Sequence, residues 1–411
     1  MRADGTQSIT QHGLSPSAHE SKPFDIVIYQ AQGVYLWTTE NKCLLDCASR
    51  LSGAILGHQH PYFEARYQHY AASLPRVSQR ARTAIEAQAA KRLIASAKAD
   101  RIESVFWASS EEEALRTAIL AAQRFEGGKH LVVCLSDDAP DWGMSQTRFR
   151  LIHLPASHGL KSRLEALQRE YPNQIGVVVV DGALHIGMDI QAEDFDLRRL
   201  GEWCHEKGLT VVCDERRTFP ELHTDFFAFQ RVGLRPELVV FGRSVGNGAP
   251  VAGVMGRTDM LDGLDTPTPT GNPHGCAAIL AMFDTFEKCG IQHSCSRVGE
   301  ILSAGLHELS AVVPFVAAVQ GTGLAWTLKM KSYRGKTSDR IASDCVRACL
   351  EHGLYVDNFP TPSDLGIAPA LTICEAELQD ILARLRRAFE QISQATPEIS
   401  AKKENSLSVQ R

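Results

Sequence analysis

The 411-residue sequence lacks several features that would assign it to a class at once. No apolar run reaches the roughly 20 residues that a membrane-spanning helix needs, so no membrane association is expected. Neither charge sign dominates. The 43 Lys and Arg residues against 48 Asp and Glu leave a net charge of −5, and the signs are interspersed, which excludes a nucleic-acid footprint and a basic membrane-surface patch. The 11 cysteines include no C-x-x-C pair. They stand singly in apolar runs, as at Cys134, Cys204, Cys213 and Cys276, a pattern of buried reduced thiols rather than of a metal centre. Residues 1–22 have no apolar h-region and little arginine, so they read as a disordered leader of a cytoplasmic protein rather than a targeting signal. The polar, proline-containing 396–411 reads as a disordered tail. There is no internal repeat.

What the sequence does have is alternation. From Phe24 to Asp46 short strands are broken at Gly33 and Asn41, as in a hairpin. From about residue 102, strand-like runs ("ESVFWA", "HLVVCL", "IGVVVV", "LTVVC", "ELVVFG") alternate with amphipathic helices such as "EEEALRTAILAAQRF" and "DFDLRRLGEWCHEKG". That order predicts an α/β fold with a mainly parallel sheet covered on both faces. Beyond Cys295 come a long helix, the strand-like "VAAVQGTGLAWTLKM", a helix near 337–352 and the amphipathic "CEAELQDILARLRRAFEQI". The expected division is a small α+β domain built from 23–60 and 296–395 and a large domain over 61–295.

The landmarks fall in a specific order: "GVYLWTTENKCLLDCASRLSGAILGHQHP", "VFWASSEEEALRTAILAAQ", "LTVVCDE", "VVFGRSVGNGAP", "TPTGNPHGCAA", "VQGTGLAW" and "LGIAPALTI". Over roughly 24–392 this order resembles the class III aminotransferases, in particular the ornithine and acetylornithine branch of the fold-type I pyridoxal phosphate (PLP) enzymes. The resemblance implies a large domain with a mainly parallel, seven-stranded-type sheet and flanking helices, a small domain from both chain ends, and a dimer. Transamination on PLP needs a lysine amine that forms the imine and then moves a proton, a carboxylate on the pyridine nitrogen, and N–H groups at a helix N-terminus for the phosphate.

Position by position, the resemblance is incomplete. Asp214 matches the pyridine-nitrogen partner, at the carboxyl end of a strand where open α/β sheets bind ligands. The lysine position, in a pattern like G-K-x-x-x-x-G-x-P, is Arg243, and an arginine stays protonated and cannot form the imine. The phosphate-binding run aligns on Ser109, Ser110, Glu111 and Glu112, with two carboxylates in place of glycine and threonine. Ser109 or Ser110 with a Glu three residues on also reads as a capping box. The ring-stacking aromatic falls on Asp141, although Trp142 and Gly143 persist beside it; the cofactor-hydroxyl position is Arg217, with Phe219 where a glycine is usual; and the substrate-carboxylate arginine falls on Gly366. Thr268 matches the threonine that reaches the partner subunit's cofactor phosphate in the family.

Outside this set, His58 and His60 read as a turn and helix entry, and His185 follows Asp181 at another strand end. No metal site is expected. The reading these residues favour is a catalytically degenerate homologue acting as a homodimer subunit, as a regulatory homologue, or as the heterodimer partner of an active class III aminotransferase. PLP is implied by resemblance alone, without covalent attachment and with binding itself open. The alternatives are a repurposed PLP-independent enzyme or ligand-binding protein, and an atypical PLP-binding aminotransferase. Arg243 is expected to fill the former cofactor pocket and to pair with Asp214, Glu111 or Glu112, because a buried guanidinium needs a partner.

Overall fold

The computed structural model describes residues 26–75, 81–136, 149–155, 159–182, 197–218, 225–264 and 272–394. The first three strands, β1 (Ile28–Gln32), β2 (Tyr35–Thr38) and β3 (Cys43–Asp46), pair antiparallel in sequence. Their turns place Gly33 at φ 58° and Asn41 at φ 60°, a left-handed conformation open to few other residues. Two helices, α1 (Pro61–Ala71) and α2 (Ala84–Ala97), lead to β4 (Ser104–Ala108) and α3 (Glu111–Phe125). Next come β5 (Leu131–Leu135), β6 (Arg150–Leu154), α4 (Leu160–Glu170), β7 (Ile175–Asp181), α5 (Leu197–Glu206), β8 (Thr210–Asp214), β9 (Leu238–Phe241) and β10 (Ala252–Gly256).

The seven strands β4 to β10 form one sheet in the order β4-β10-β9-β8-β7-β5-β6, in which only β10 runs against its neighbours. The valine-rich β7 is buried along its whole length, as a parallel strand covered on both faces must be. One covering layer is α3, which turns Ala114, Leu115, Ala118, Ile119, Ala121 and Ala122 inward. The five strand runs read from the sequence are β4, β5, β7, β8 and β9; β6 and β10 escaped that reading. In β10 the reason is local. A Cβ on Gly253 would lie 2.5 Å from the Phe106 carbonyl oxygen and 2.6 Å from the Phe241 ring, and one on Gly256 would lie 2.5 Å from the Glu237 carbonyl oxygen. The strand fits between its neighbours because it lacks the side chains by which strands are usually recognised.

The C-terminal part contains α6 (Pro273–Cys289), α7 (Ile291–Val312), β11 (Val316–Thr322), β12 (Ala325–Met330), α8 (Ser338–Glu351), β13 (Leu354–Tyr355), β14 (Asp364–Ile367) and α9 (Glu375–Gln394). The single strand-like run at 316–330 is a hairpin, β11 with β12, turning at Gly323 with φ 55° and extended by β14. Strand β13 pairs parallel with β3, so the two ends of the chain share a sheet. Of the cysteines, Cys43, Cys289 and Cys374 are exposed and the other eight are buried. Burial pushes the Cys295 thiol up to about 11. Among the described residues no helix is long and apolar enough to cross a membrane, and no cluster could hold a metal ion.

Candidate active-site cleft

The sheet brings four strand ends together. Asp181 and Asp214 are register partners at the carboxyl ends of β7 and β8, and Asp214 is opposite Val240 of β9. Beyond β9, Gly242 and Arg243 begin a single 3-10 turn, Arg243–Gly246. On the far side of β10, β4 is followed by Ser109 and Ser110, which open α3. Two adjacent aspartates on neighbouring buried strand ends repel unless each is given a cation.

Each is given one from the turn after β8. Arg216 folds back on Asp214 as a bidentate pair, Nε to Oδ1 at 2.8 Å and Nη2 to Oδ2 at 2.7 Å, and its backbone N–H donates to Oδ1 at 3.2 Å. The two side chains are 16% and 9% exposed. Burial alone would raise the Asp214 carboxyl, but the charge and hydrogen bonds of Arg216, helped by Arg217, outweigh it and hold the pKa below its ordinary value. Burial works against the Arg216 guanidinium too, and Asp214 more than offsets it, so both partners stay charged. Arg217 turns the other way, donates to Asp181 and lies over the Phe359 ring at 5.4 Å.

Arg243 takes Glu111 of the three carboxylates expected. Its backbone N–H donates to Oε1 at 2.8 Å, its Nη2 to Oε2 at 3.5 Å, and its Nε stands 3.4 Å from Oε1. The pairing is with α3, but the plug is a loose one: the Arg243 side chain is 51% exposed, not buried. Two glycines leave room for the pair. A Cβ on Gly53, at φ 86°, would lie 2.7 Å from Arg243 Cγ, and a Cβ on Gly242 would collide with the Glu111 carboxylate.

The start of α3 is satisfied from within. Ser110 is the N-cap and accepts from the Glu113 N–H at 3.1 Å; Glu113 reaches back to the N–H of Ser109 at 2.9 Å and to its hydroxyl. This is a capping box displaced by one residue, because the carboxylate serves Ser109 rather than the N-cap itself. Glu112 is exposed. Gly366 sits inside β14 opposite Thr327, where a Cβ would meet Leu51 and Phe359 at 3.2 Å, so the space a longer side chain would take there is filled.

His58 Nε2 donates to Asp46 Oδ2 at 2.9 Å, and His60 caps α1 by accepting from the Phe63 N–H at 3.3 Å. Asp141, Trp142, Gly143, His185, Phe219 and Thr268 lie outside the described residues. The residue that sequence reasoning missed is Arg216. Its signal was present in "CDERR": a buried acidic strand end followed by two arginines is a local ion pair in prospect.

Comparison with known proteins places this cleft in context. A family model described as aminotransferase class-III matches residues 16–135 and 142–389. The acetylornithine aminotransferase of Gloeobacter violaceus is 24% identical over 407 residues, covering 93% of this chain and 97% of that protein. The succinylornithine transaminase of Yersinia enterocolitica is 23% identical, with 90% and 94% covered. Among solved structures, the taurine:2-oxoglutarate aminotransferase of Bifidobacterium kashiwanohense, in complex with PLP and glutamate, superposes with a TM-score of 0.82 at 18% identity, over 95% of this chain and 98% of that one. Acetylornithine aminotransferase from Elizabethkingia anophelis gives 0.78 at 19% identity, over 95% and 100%. The family model covers most of the chain, the solved structures share its fold, and the chain belongs to the class III aminotransferases.

Proposed function

We propose that this chain is a catalytically degenerate class III aminotransferase homologue that acts as a subunit of a homodimer or, with a lysine-bearing relative, of a heterodimer. The observation that carries the reading is Arg243 at the imine-forming position, committed through backbone and side chain to Glu111. An imine needs a neutral amine, which a guanidinium does not supply. The rest of the donor set does not fit PLP either. Both Asp214 oxygens accept from Arg216, so a protonated ring nitrogen would meet a carboxylate already neutralised by a guanidinium beside it. At the mouth of α3, Glu111 and Glu112 stand where a phosphate would approach, and each would repel it by about 1 kcal/mol in a solvated setting and by more where water is excluded.

In this reading residues 23–60 and 296–395 form the small domain, 61–295 the large one, and Thr268 serves a partner's site rather than its own. The test is co-expression of the tagged chain with a lysine-bearing class III relative from the same organism, followed by affinity capture and size-exclusion chromatography. A stoichiometric mixed dimer supports the heteromeric form. Recovery of homodimers alone ends it. A purified chain that turns over amino donors with added PLP would overturn the degenerate reading in both forms.

A further inference from the structure

Arg216 is a largely buried cation whose partner, Asp214, the family resemblance assigns to a different positive group. Asp214 would otherwise face a protonated pyridine nitrogen. In this chain the bidentate guanidinium occupies both carboxylate oxygens, the side chain is 16% exposed, and the backbone N–H of the same residue adds a third bond. A bidentate arginine–carboxylate pair fixes direction as well as charge: Arg216 neutralises Asp214 and its three bonds fill most of the carboxylate's roughly four acceptor sites, so a pyridinium would meet a neutralised carboxylate beside a guanidinium. We infer that Arg216 is an internal substitute for the cofactor ring, and that it, rather than the missing lysine alone, sets the ligand class by denying the cleft to pyridinium ligands. This rests on the reading of the cleft as degenerate.

The consequence is that restoring an amine at position 243 is not sufficient to capture a pyridine aldehyde. The probe is pyridoxal, which has the aldehyde and ring nitrogen but no phosphate, so that repulsion between a phosphate and Glu111 or Glu112 plays no part. With Arg243→Lys the lysine amine can attack the aldehyde carbon; a C=N bond forms and the carbonyl oxygen leaves as water. Borohydride then supplies hydride to the imine carbon, leaving a stable secondary amine that peptide mapping locates. Three full-length variants are compared by imine absorbance and by the position of the reduced adduct: R243K, R243K/R216A and R243K/D214N.

Freeing one charged hydrogen-bonding partner is worth about ten- to hundredfold in affinity, so R243K/R216A is expected to bind pyridoxal at position 243 by that factor more tightly than R243K. Equal affinities overturn the inference, as does a folded R243K/R216A, checked by circular dichroism, with no gain. Should R243K/R216A not fold, the third variant decides: with Asp214 already taken by Arg216, R243K/D214N binds no worse than R243K, whereas about a tenfold loss shows that Asp214 was available and overturns the inference. Failure of the dimer-subunit reading is seen separately, in the native chain's turnover and its mixed-dimer capture.

Discussion

Replacing Arg216 with alanine leaves Asp214, whose side chain is 9% exposed, as a buried carboxylate stripped of its bidentate partner. Breaking a buried pair from one side costs about 3–5 kcal/mol, and R216A is predicted to lose that much near neutral pH. The pH dependence carries the sharper sign. In the native chain the folded pKa of Asp214 is depressed, so the stability it contributes is complete above the unfolded value of about 3.9 and is lost as the pH falls through the folded value. In R216A the desolvation that Arg216 now outweighs takes over and the folded pKa rises above the unfolded one. The variant then loses stability as the pH rises through that raised pKa and regains it on acidification toward about pH 4. The gap between native chain and variant therefore narrows from about pH 7 to about pH 4.5, although Arg217 also holds Asp214 down and keeps part of that shift from developing. Urea unfolding across this range measures it. A loss of less than about 0.5 kcal/mol at neutral pH, the size of an ordinary surface substitution, or a gap that does not change with pH, refutes the reasoning.

At the Arg243–Glu111 contact the carboxylate matters more than the guanidinium. Arg243→Ala removes a half-exposed side-chain partner worth about 0–1 kcal/mol, whereas Glu111→Ala also removes the acceptor of the Arg243 N–H, a bond worth about 0.5–1.5 kcal/mol more; denaturant midpoints should rank them in that order. Ser110→Ala removes the α3 cap and should cost about 1 kcal/mol in the same assay. Brief treatment of the native chain with an alkylating reagent should label Cys43, Cys289 and Cys374, the exposed thiols, and mass spectrometry should find the other eight modified only after denaturation.

The α/β order was legible because the sheet strands are long apolar runs between amphipathic helices, and α3 was readable to its end residues because "EEEALRTAILAAQRF" carries both its cap signal and its buried stripe. Strand β10 was not, since its glycines record crowding by neighbouring strands that no local pattern expresses. The same limit applied in the cleft. Arg243 stood out by position, but which carboxylate it would choose depends on α3 beginning where β9 ends, side by side across β10. Its exposure was not legible either: the stem passes close to Gly53, far away in sequence, and the side chain is half exposed. The family pattern marks Arg217 and not its neighbour Arg216, while the geometry gives Arg216 the more buried carboxylate pair.

The central claim is that the chain's own arginines and carboxylates occupy the positions a phosphorylated pyridine aldehyde would need. A ligand that binds the native state must raise its stability, by about 2.7 kcal/mol at a hundredfold excess over Kd. The most direct measurement is therefore unfolding of the purified native chain at increasing PLP concentration, with the absorbance spectrum recorded on the same samples. The account predicts a flat midpoint and no imine band. A saturable rise in stability accompanied by an imine band would contradict it.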